Sequence, residues 1–273
     1  MKIQIKMLGD MTVCADGAAS VPKGDKPRQI LALLALHTNR FVATPDLMEE
    51  VWGDRPPRSA STMLHNYLLE LRSSLQPAAR EQPAGEHGNV IAAMRGGYQL
   101  LLEPRFVDVH VFRTLLARGH QALGTDDAMA VRTLRSASAL WRGPMLAGMR
   151  HGPILRAEIA RLEEERLATV VQRISAELRL GRNAEVLDEL EELTARHSLH
   201  EHLHAQRVIA LYRLGRREEA LGVFGRLRAA FLEELGLEPS ATLTRLIGTL
   251  CRASRPPGER IPALGEPALA AKG

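Results

Sequence analysis

A tripeptide recurs in this chain, and its spacing limits the fold of the second half. Leu180-Gly181-Arg182 returns as Leu214-Gly215-Arg216, an offset of 34 residues. Leu187, Leu190 and Leu193 return at the same offset as Leu221, Phe224 and Leu227. Thirty-four residues is the tetratricopeptide period, in which stacked helix pairs bury a shared core. The glycine at each join suits the residue just past a helix end. From Asp108 onward no strand pattern appears. The apolar spacing predicts successive helices near 108–123, 126–141, 153–180, 183–196, 201–214, 217–235 and 239–252. Beyond Arg252 the Pro-, Gly- and Ala-rich composition predicts a disordered tail over 253–273.

The first half has a different grammar. Lys2 to Leu8 alternates polar and apolar, and Met11 to Cys14 starts a return strand after Gly9-Asp10. Pro27 to Thr38 is apolar nearly all round and reads as a buried helix, with Asn39 just past its end. Thr44-Pro45-Asp46 reads as an N-cap, a first-turn proline and a first-turn acid, opening a helix that stops at Gly53. Ser59 to Leu75 follows, with Ala60, Met63, Leu64, Tyr67, Leu68, Leu71 and Leu75 on one helical face and Ser59 at the N-cap. Its other face carries Ser61, Thr62, His65, Asn66, Leu69, Arg72 and Ser73. Gln76 to Asn89 reads as a mobile loop, and Val90 to Leu102 as a hairpin turning at Gly96-Gly97. Sheet, three helices and hairpin, in that order, make a winged helix-turn-helix with an N-terminal sheet. Ser59–Leu75 is then its recognition helix and the hairpin its wing.

A face of small, amide and cationic side chains suits a major groove. Asn pairs bidentately with adenine, Arg with guanine or phosphate, and Leu69 fits a thymine methyl. Arg95, at the hairpin tip, is placed for phosphates or the minor groove. Bulk charge adds nothing: residues 1–103 hold eleven Lys/Arg and eleven Asp/Glu, and the net +4 comes from residues 104–273, with 25 and 21. DNA binding therefore rests on local placement of Arg55, Arg58, Arg72 and Arg95.

No run of 18 apolar residues is long enough to span a membrane, and the start lacks the apolar core of a signal peptide. Cys14 and Cys251 offer no metal spacing and are expected to be inert thiols in a reducing cytoplasm. No glycine loop cradles phosphate, so no nucleotide cofactor is expected. His200-Glu201-His202-Leu203-His204 satisfies H-E-x-x-H, the zinc-protease spacing, but falls at a repeat junction. Adventitious zinc or nickel on His197, His200 and His204 is the expectation there, not catalysis. Trp52 and Trp141 read as core anchors. Asp46, Glu49 and Glu50 read as a solvated acidic face, with a polymerase contact as the alternative. Arg156, Arg161, Arg166 and Arg173, interleaved with Glu158 and Glu163 to Glu165, read as ion pairs along an exposed helix.

Order and spacing of several stretches resemble the SARP family (Streptomyces antibiotic regulatory proteins). They include Pro27 to Leu36, Asn39-Arg40-Phe41-Val42, Leu47 to Gly53, Pro56 to Ala60, and Gly97-Tyr98-Gln99-Leu100. In the second half they are Val107-Asp108 with Phe112, Leu140 to Gly143, Arg161-Leu162-Glu163, Leu211 to Arg216, Ala220-Leu221 and Glu233 to Pro239. The chain departs from the family pattern at Leu69-Glu70 and Met94-Arg95-Gly96.

The resemblance implies a mainly α chain in two domains. A winged helix-turn-helix, α+β, would occupy 1–103, and an all-α tetratricopeptide-like bacterial transcriptional activator domain 104–252. It implies a cytoplasmic, non-enzymatic activator of a secondary-metabolite gene cluster. Such an activator binds direct repeats of double-stranded promoter DNA near the −35 region, self-associates there, and recruits RNA polymerase holoenzyme through sigma and core subunits. The DNA-binding residues it implies are Arg58, Ser61, Thr62, His65, Asn66 and Arg72, with Arg95 and Tyr98 in the wing. Two other classes stay open: a helical-repeat interaction protein whose winged helix contacts only protein, and a zinc hydrolase.

Overall fold

The computed structural model describes residues 3–15, 18–19, 21–79 and 90–252. Most of the expected loop before the hairpin, and the whole expected disordered tail, lie outside the described residues. The chain divides into two compact units, Met1–Val170 and Val171–Gly273.

In the first unit, β1 (Gln4–Lys6) pairs antiparallel with β2 (Thr12–Ala15), Ile5 opposite Val13, and β3 (Ala18–Ala19) pairs with β2. Ile3, Ile5 and Met7 are buried while Gln4 and Lys6 are exposed, as the alternation predicts. In α1 (Asp25–Leu36) every residue from Ile30 to Leu36 is buried. Asn39 then takes a left-handed conformation at φ 60°. Its N–H donates to the Leu100 carbonyl at 2.8 Å, and its side chain exchanges two bonds with the Leu102 backbone.

A short strand not anticipated from the sequence, β4 (Val42–Ala43), leads into α2 (Thr44–Trp52). Ala43 holds the cap position and Thr44 is already helical, one residue before the expected start. The Thr44 N–H is taken by the Gly96 carbonyl at 2.9 Å, so the hairpin replaces a side-chain cap there. The recognition segment forms α3 (Ala60–Ala79), one turn longer than expected. β5 (Ile91–Met94) and β6 (Gly97–Leu100) form the hairpin, with Met94 opposite Gly97. The turn is thus Arg95-Gly96, one residue earlier than predicted. β6 is the centre of a three-stranded sheet, order β4-β6-β5.

A 3-10 turn (Pro104–Phe106) leads to α4 (Asp108–Ala122), α5 (Asp127–Ser138) and α6 (Pro153–Arg179). One hydrophobic core runs from Ile3 through α1, α3 and the hairpin to Phe112, Trp141, Leu155 and Leu162. Asp108 ties the first strand to α4: its carboxylate accepts from the Met7 N–H at 2.8 and 2.9 Å and the Leu8 N–H at 3.0 Å. Trp141 is buried edge-on to Phe112, centroids 5.6 Å apart, with Arg166 over the indole at 4.7 Å. It is a core anchor, as read.

The second unit comprises the end of α6, α7 (Leu187–Arg196), α8 (Glu201–Arg213), α9 (Arg217–Leu235) and α10 (Ala241–Arg252). The repeated tripeptides make the same turn twice. Gly181 and Gly215 sit at φ 77° and 79°. Arg182 N–H reaches the Glu177 carbonyl at 3.0 Å, and Arg216 N–H reaches that of Leu211 at 2.9 Å. This six-to-one closure needs a left-handed residue, which glycine adopts without a Cβ penalty. Leu190 and Leu227 are buried, but Leu221 stays 39% exposed, so the repeat is inexact in its packing. Arg173 departs from the expected exposed pairing. It is buried against a fully buried Glu177 at 2.7 Å and also pairs with Glu189. Arg161 with Glu158 and Glu165, and Arg166 with Glu163, do form the expected helix pairs.

Candidate nucleic-acid interface

Leu64, Leu68, Leu71 and Leu75 seat α3 in the core, with Ala60 buried at its start. Each fully buried leucine contributes about 1.5–3 kcal/mol, enough to fix which side of the helix faces out. The outward stripe is the one the sequence assigns: Ser61, Thr62, His65, Asn66, Leu69 and Ser73 are all exposed, Leu69 at 47%. Arg58 and Arg55 are exposed in the loop that precedes α3, and Arg95 is exposed in the β5–β6 turn.

Arg72 and Tyr98 differ from the rest of the set. Both are half-buried. The Arg72 Nε donates to the Ile91 carbonyl at 2.9 Å, and its guanidinium carbon lies 5.9 Å from the Tyr98 ring centre. The two residues meet between α3 and the hairpin, while the other predicted residues stand free of such contacts on the helix and at the tip. Sequence reasoning put Arg72 on the groove-facing stripe because helical spacing alone carries no information about a hairpin some twenty residues later.

The hairpin is held at several further points. Gly97 allows β4 and β6 to close up: a Cβ there would lie 2.3 Å from the Val42 carbonyl oxygen and 2.5 Å from the Phe41 ring. Asn39 bonds to both Leu100 and Leu102. The sequence signal for that latch is an Asn directly after a helix, which by itself indicates only the helix end. Phe41 and Met94 leave apolar surface exposed beside the turn, at 51% and 49%.

The acidic face on α2 is only partly as expected. Asp46 and Glu49 are exposed, but Glu50 is 1% exposed. Its carboxylate accepts from the N–H groups of Gly152 at 2.5 Å and Leu155 at 2.9 Å, at the start of α6. Burial raises its pKa above the usual carboxylate value, opposed by those N–H groups. A solvated patch at Glu50 is therefore corrected to a buried helix cap. Trp52 packs against the core with the Lys26 ammonium 5.2 Å from its ring centre.

The H-E-x-x-H stretch forms the start of α8. His200 is its N-cap, Nδ1 accepting from the Leu203 N–H at 3.3 Å. Glu201 accepts from the Ser240 N–H at 2.7 Å, and His204 is buried. Among the described residues no three His, Cys, Asp or Glu side chains are grouped to hold a metal ion. Among the same residues, no helix is long and apolar enough to cross a membrane.

Comparison with known proteins identifies two matched families along the chain. Residues 19–100 match the family "Transcriptional regulatory protein, C terminal", and residues 107–250 match "Bacterial transcriptional activator domain". The chain is 40% identical over 272 residues to "Regulatory protein DnrI" of Streptomyces peucetius, covering 98% of this chain and 100% of that protein. The chain belongs to the SARP family. A second relative is "Transcriptional regulator RedD" of Streptomyces coelicolor, 31% identical over 89% of this chain and 69% of that one. Among solved structures, Mycobacterium tuberculosis EmbR in complex with a low affinity phosphopeptide superposes with a TM-score of 0.84 at 30% identity, covering 94% of this chain and 66% of EmbR. SARP members are transcriptional regulators, and the two matched families together make this chain a transcription activator built from a winged helix-turn-helix and a helical domain.

Proposed function

We propose that this SARP protein activates a secondary-metabolite gene cluster by binding double-stranded promoter DNA. The exposed stripe of α3, with Ser61, Thr62, His65 and Asn66, enters the major groove, and Arg58 contacts the backbone beside it. Arg95 reaches the adjacent phosphates from the hairpin. One observation carries this reading. The core fixes α3 so that a continuous polar stripe of small and amide side chains faces outward, and the exposed Arg58 lies just before the helix. A direct repeat near the −35 region is the proposed operator, with self-association of neighbouring copies. Residues 104–252 then serve as the activating domain that recruits RNA polymerase holoenzyme through sigma and core subunits. On this reading residues 1–103 are the DNA-binding domain, the protein acts in the cytoplasm, and it performs no catalysis.

The test is transcription in vitro from a promoter of the protein's own gene neighbourhood, with purified holoenzyme. Transcript should rise when the full chain is added and should not rise when the direct repeat is scrambled. Stimulation that persists on the scrambled template would contradict operator binding. It would move the weight to a protein-contact role for the winged helix.

A further inference from the structure

An arginine on a recognition helix is ordinarily assigned to a base or a phosphate, and Arg72 carries the geometry of something else. Its Nε is engaged by the Ile91 carbonyl at 2.9 Å, and its guanidinium faces the Tyr98 ring at 5.9 Å. Ile91 opens β5 and Tyr98 lies in the middle of β6, so one side chain of α3 holds both strands of the hairpin. It is half-buried, unlike Ser61, Thr62, His65 and Asn66. It also lies six residues beyond Asn66, about 9 Å further along the helix axis. Base edges are met mainly by the N-terminal part of a recognition helix. A guanidinium whose Nε is fixed to a backbone carbonyl and whose carbon lies over an aromatic ring is poorly placed to turn toward a guanine.

We propose that Arg72 is a positioning residue, which clamps the β5–β6 hairpin to α3 and so sets where Arg95 meets DNA relative to the groove-facing stripe. Tyr98 is its partner in the clamp. Neither residue reads a base. The inference rests on the DNA-binding reading above and assigns two of its residues a different role. The clamp explains how a domain with balanced charge holds a defined register: the helix and the hairpin tip are presented as one rigid pair, so binding does not have to order the hairpin.

Two measurements on the full chain test it. In the free protein, hydrogen exchange of the hairpin amides at 91–100 should rise about tenfold in Arg72→Ala, while amides of α1 keep their protection. Arg72→Lys should behave like Arg72→Ala, because an ammonium is a single point of attachment and cannot hold the Ile91 carbonyl and the Tyr98 ring at once. Tyr98→Phe should leave exchange unchanged, because the ring remains. In titrations against an operator fragment, Arg72→Ala should lose affinity and make the salt slope shallower by about one unit, as Arg95→Ala does, because the misplaced tip gives up its phosphate contact. The Arg72→Ala/Arg95→Ala pair should bind no more weakly than Arg95→Ala alone, since a misplaced tip has nothing further to lose.

A direct phosphate contact would instead make the two losses multiply and make the salt slope of the pair shallower by about two units, and a base contact would relax preference at one base pair. Either result with unchanged hairpin exchange overturns the proposal. If the wild type binds no operator fragment, the DNA-binding reading fails and exchange alone decides the clamp. Raised hairpin exchange then sustains it, and unchanged exchange removes it.

Discussion

The carboxylate of Glu50 on α2 accepts the amide hydrogens of both Gly152 and Leu155, more than a hundred residues away. The first turn of α6 has unsatisfied N–H groups, and this buried side chain satisfies two of them. The helix preceding α3 is thereby fastened to the start of α6 within the first unit. Glu50→Ala leaves one buried and one partly buried donor unpaired, the buried one costing about 1–3 kcal/mol and the other less. We expect a loss of about 2–4 kcal/mol for Glu50→Ala and a smaller loss for Glu50→Gln, which keeps one acceptor. Urea denaturation of the three proteins measures this. Equal stability of Glu50→Ala and the wild type would contradict it.

Gly97→Ala tests the packing that supports the hairpin. The added Cβ would lie 2.3 Å from the Val42 carbonyl oxygen, a backbone atom that cannot turn aside. β4 and β6 must separate, at a cost of about 1–3 kcal/mol. Faster hydrogen exchange at 42–43 and 91–100, with α8 and α9 unchanged, is the expected signature. Unchanged exchange in the hairpin would show that the strands accommodate the methyl group.

Acid should weaken the first unit through two imidazoles. Burial holds His37 and His110 below their ordinary value of 6.5. The charge of Glu158 opposes this at His37, and the Ala35 carbonyl opposes it at His110, while Arg40 and Arg113 lower both. His110 Nε2 lies 3.0 Å from the Ala35 carbonyl oxygen, as the donor in the neutral ring. As pH falls below 6.5 the unfolded chain takes up these protons before the folded one does. Stability is therefore present above that pH and is lost as pH drops toward the folded-state values. The midpoint of urea denaturation should fall between about pH 7 and pH 5. The fall should be shallower in His37→Gln/His110→Gln, with a residue left from His200, His202 and His204, whose pKa values burial also lowers. A double variant as steep as the wild type would contradict the assignment.

How much of this was legible in the sequence follows from the range of each interaction. The seating of α3 was readable because Leu64, Leu68, Leu71 and Leu75 recur at helical spacing, and periodicity is a local property. The twin turns at Gly181 and Gly215 were readable for the same reason, since a repeat compares the chain with itself. Seven helices after residue 107 were placed to within a few residues, α7 being the largest miss because turns occupy 183–186 before it begins. Glu50, Asp108, Arg72 and Arg173 were not readable in their roles. Each looks like an ordinary polar residue on its own element, and its partner is supplied by another one. Glu50 meets α6, Asp108 meets the end of β1, Arg72 meets the hairpin and Arg173 meets α7. β4 escaped because two residues carry no alternation. At the candidate interface, exposure of Ser61, Thr62, His65, Asn66 and Arg95 agrees with the helical wheel and the hairpin, while the clamp between Arg72 and Tyr98 needed coordinates.

The central claim is that α3 and the hairpin tip touch DNA directly. Its most direct measurement is a binding titration of the full chain against promoter fragments from its own gene neighbourhood, at several salt concentrations. The wild type is compared with Asn66→Ala and Arg95→Ala. With Arg55, Arg58 and Arg95 as the exposed cations of the site, the logarithmic salt slope should be near −3, shallow for a DNA-binding protein. Asn66→Ala should lose about 1–3 kcal/mol and relax preference at one A·T pair, and Arg95→Ala should make the slope shallower by about one unit. Binding that is unaffected by both substitutions, or no saturable binding to any fragment, would contradict the account.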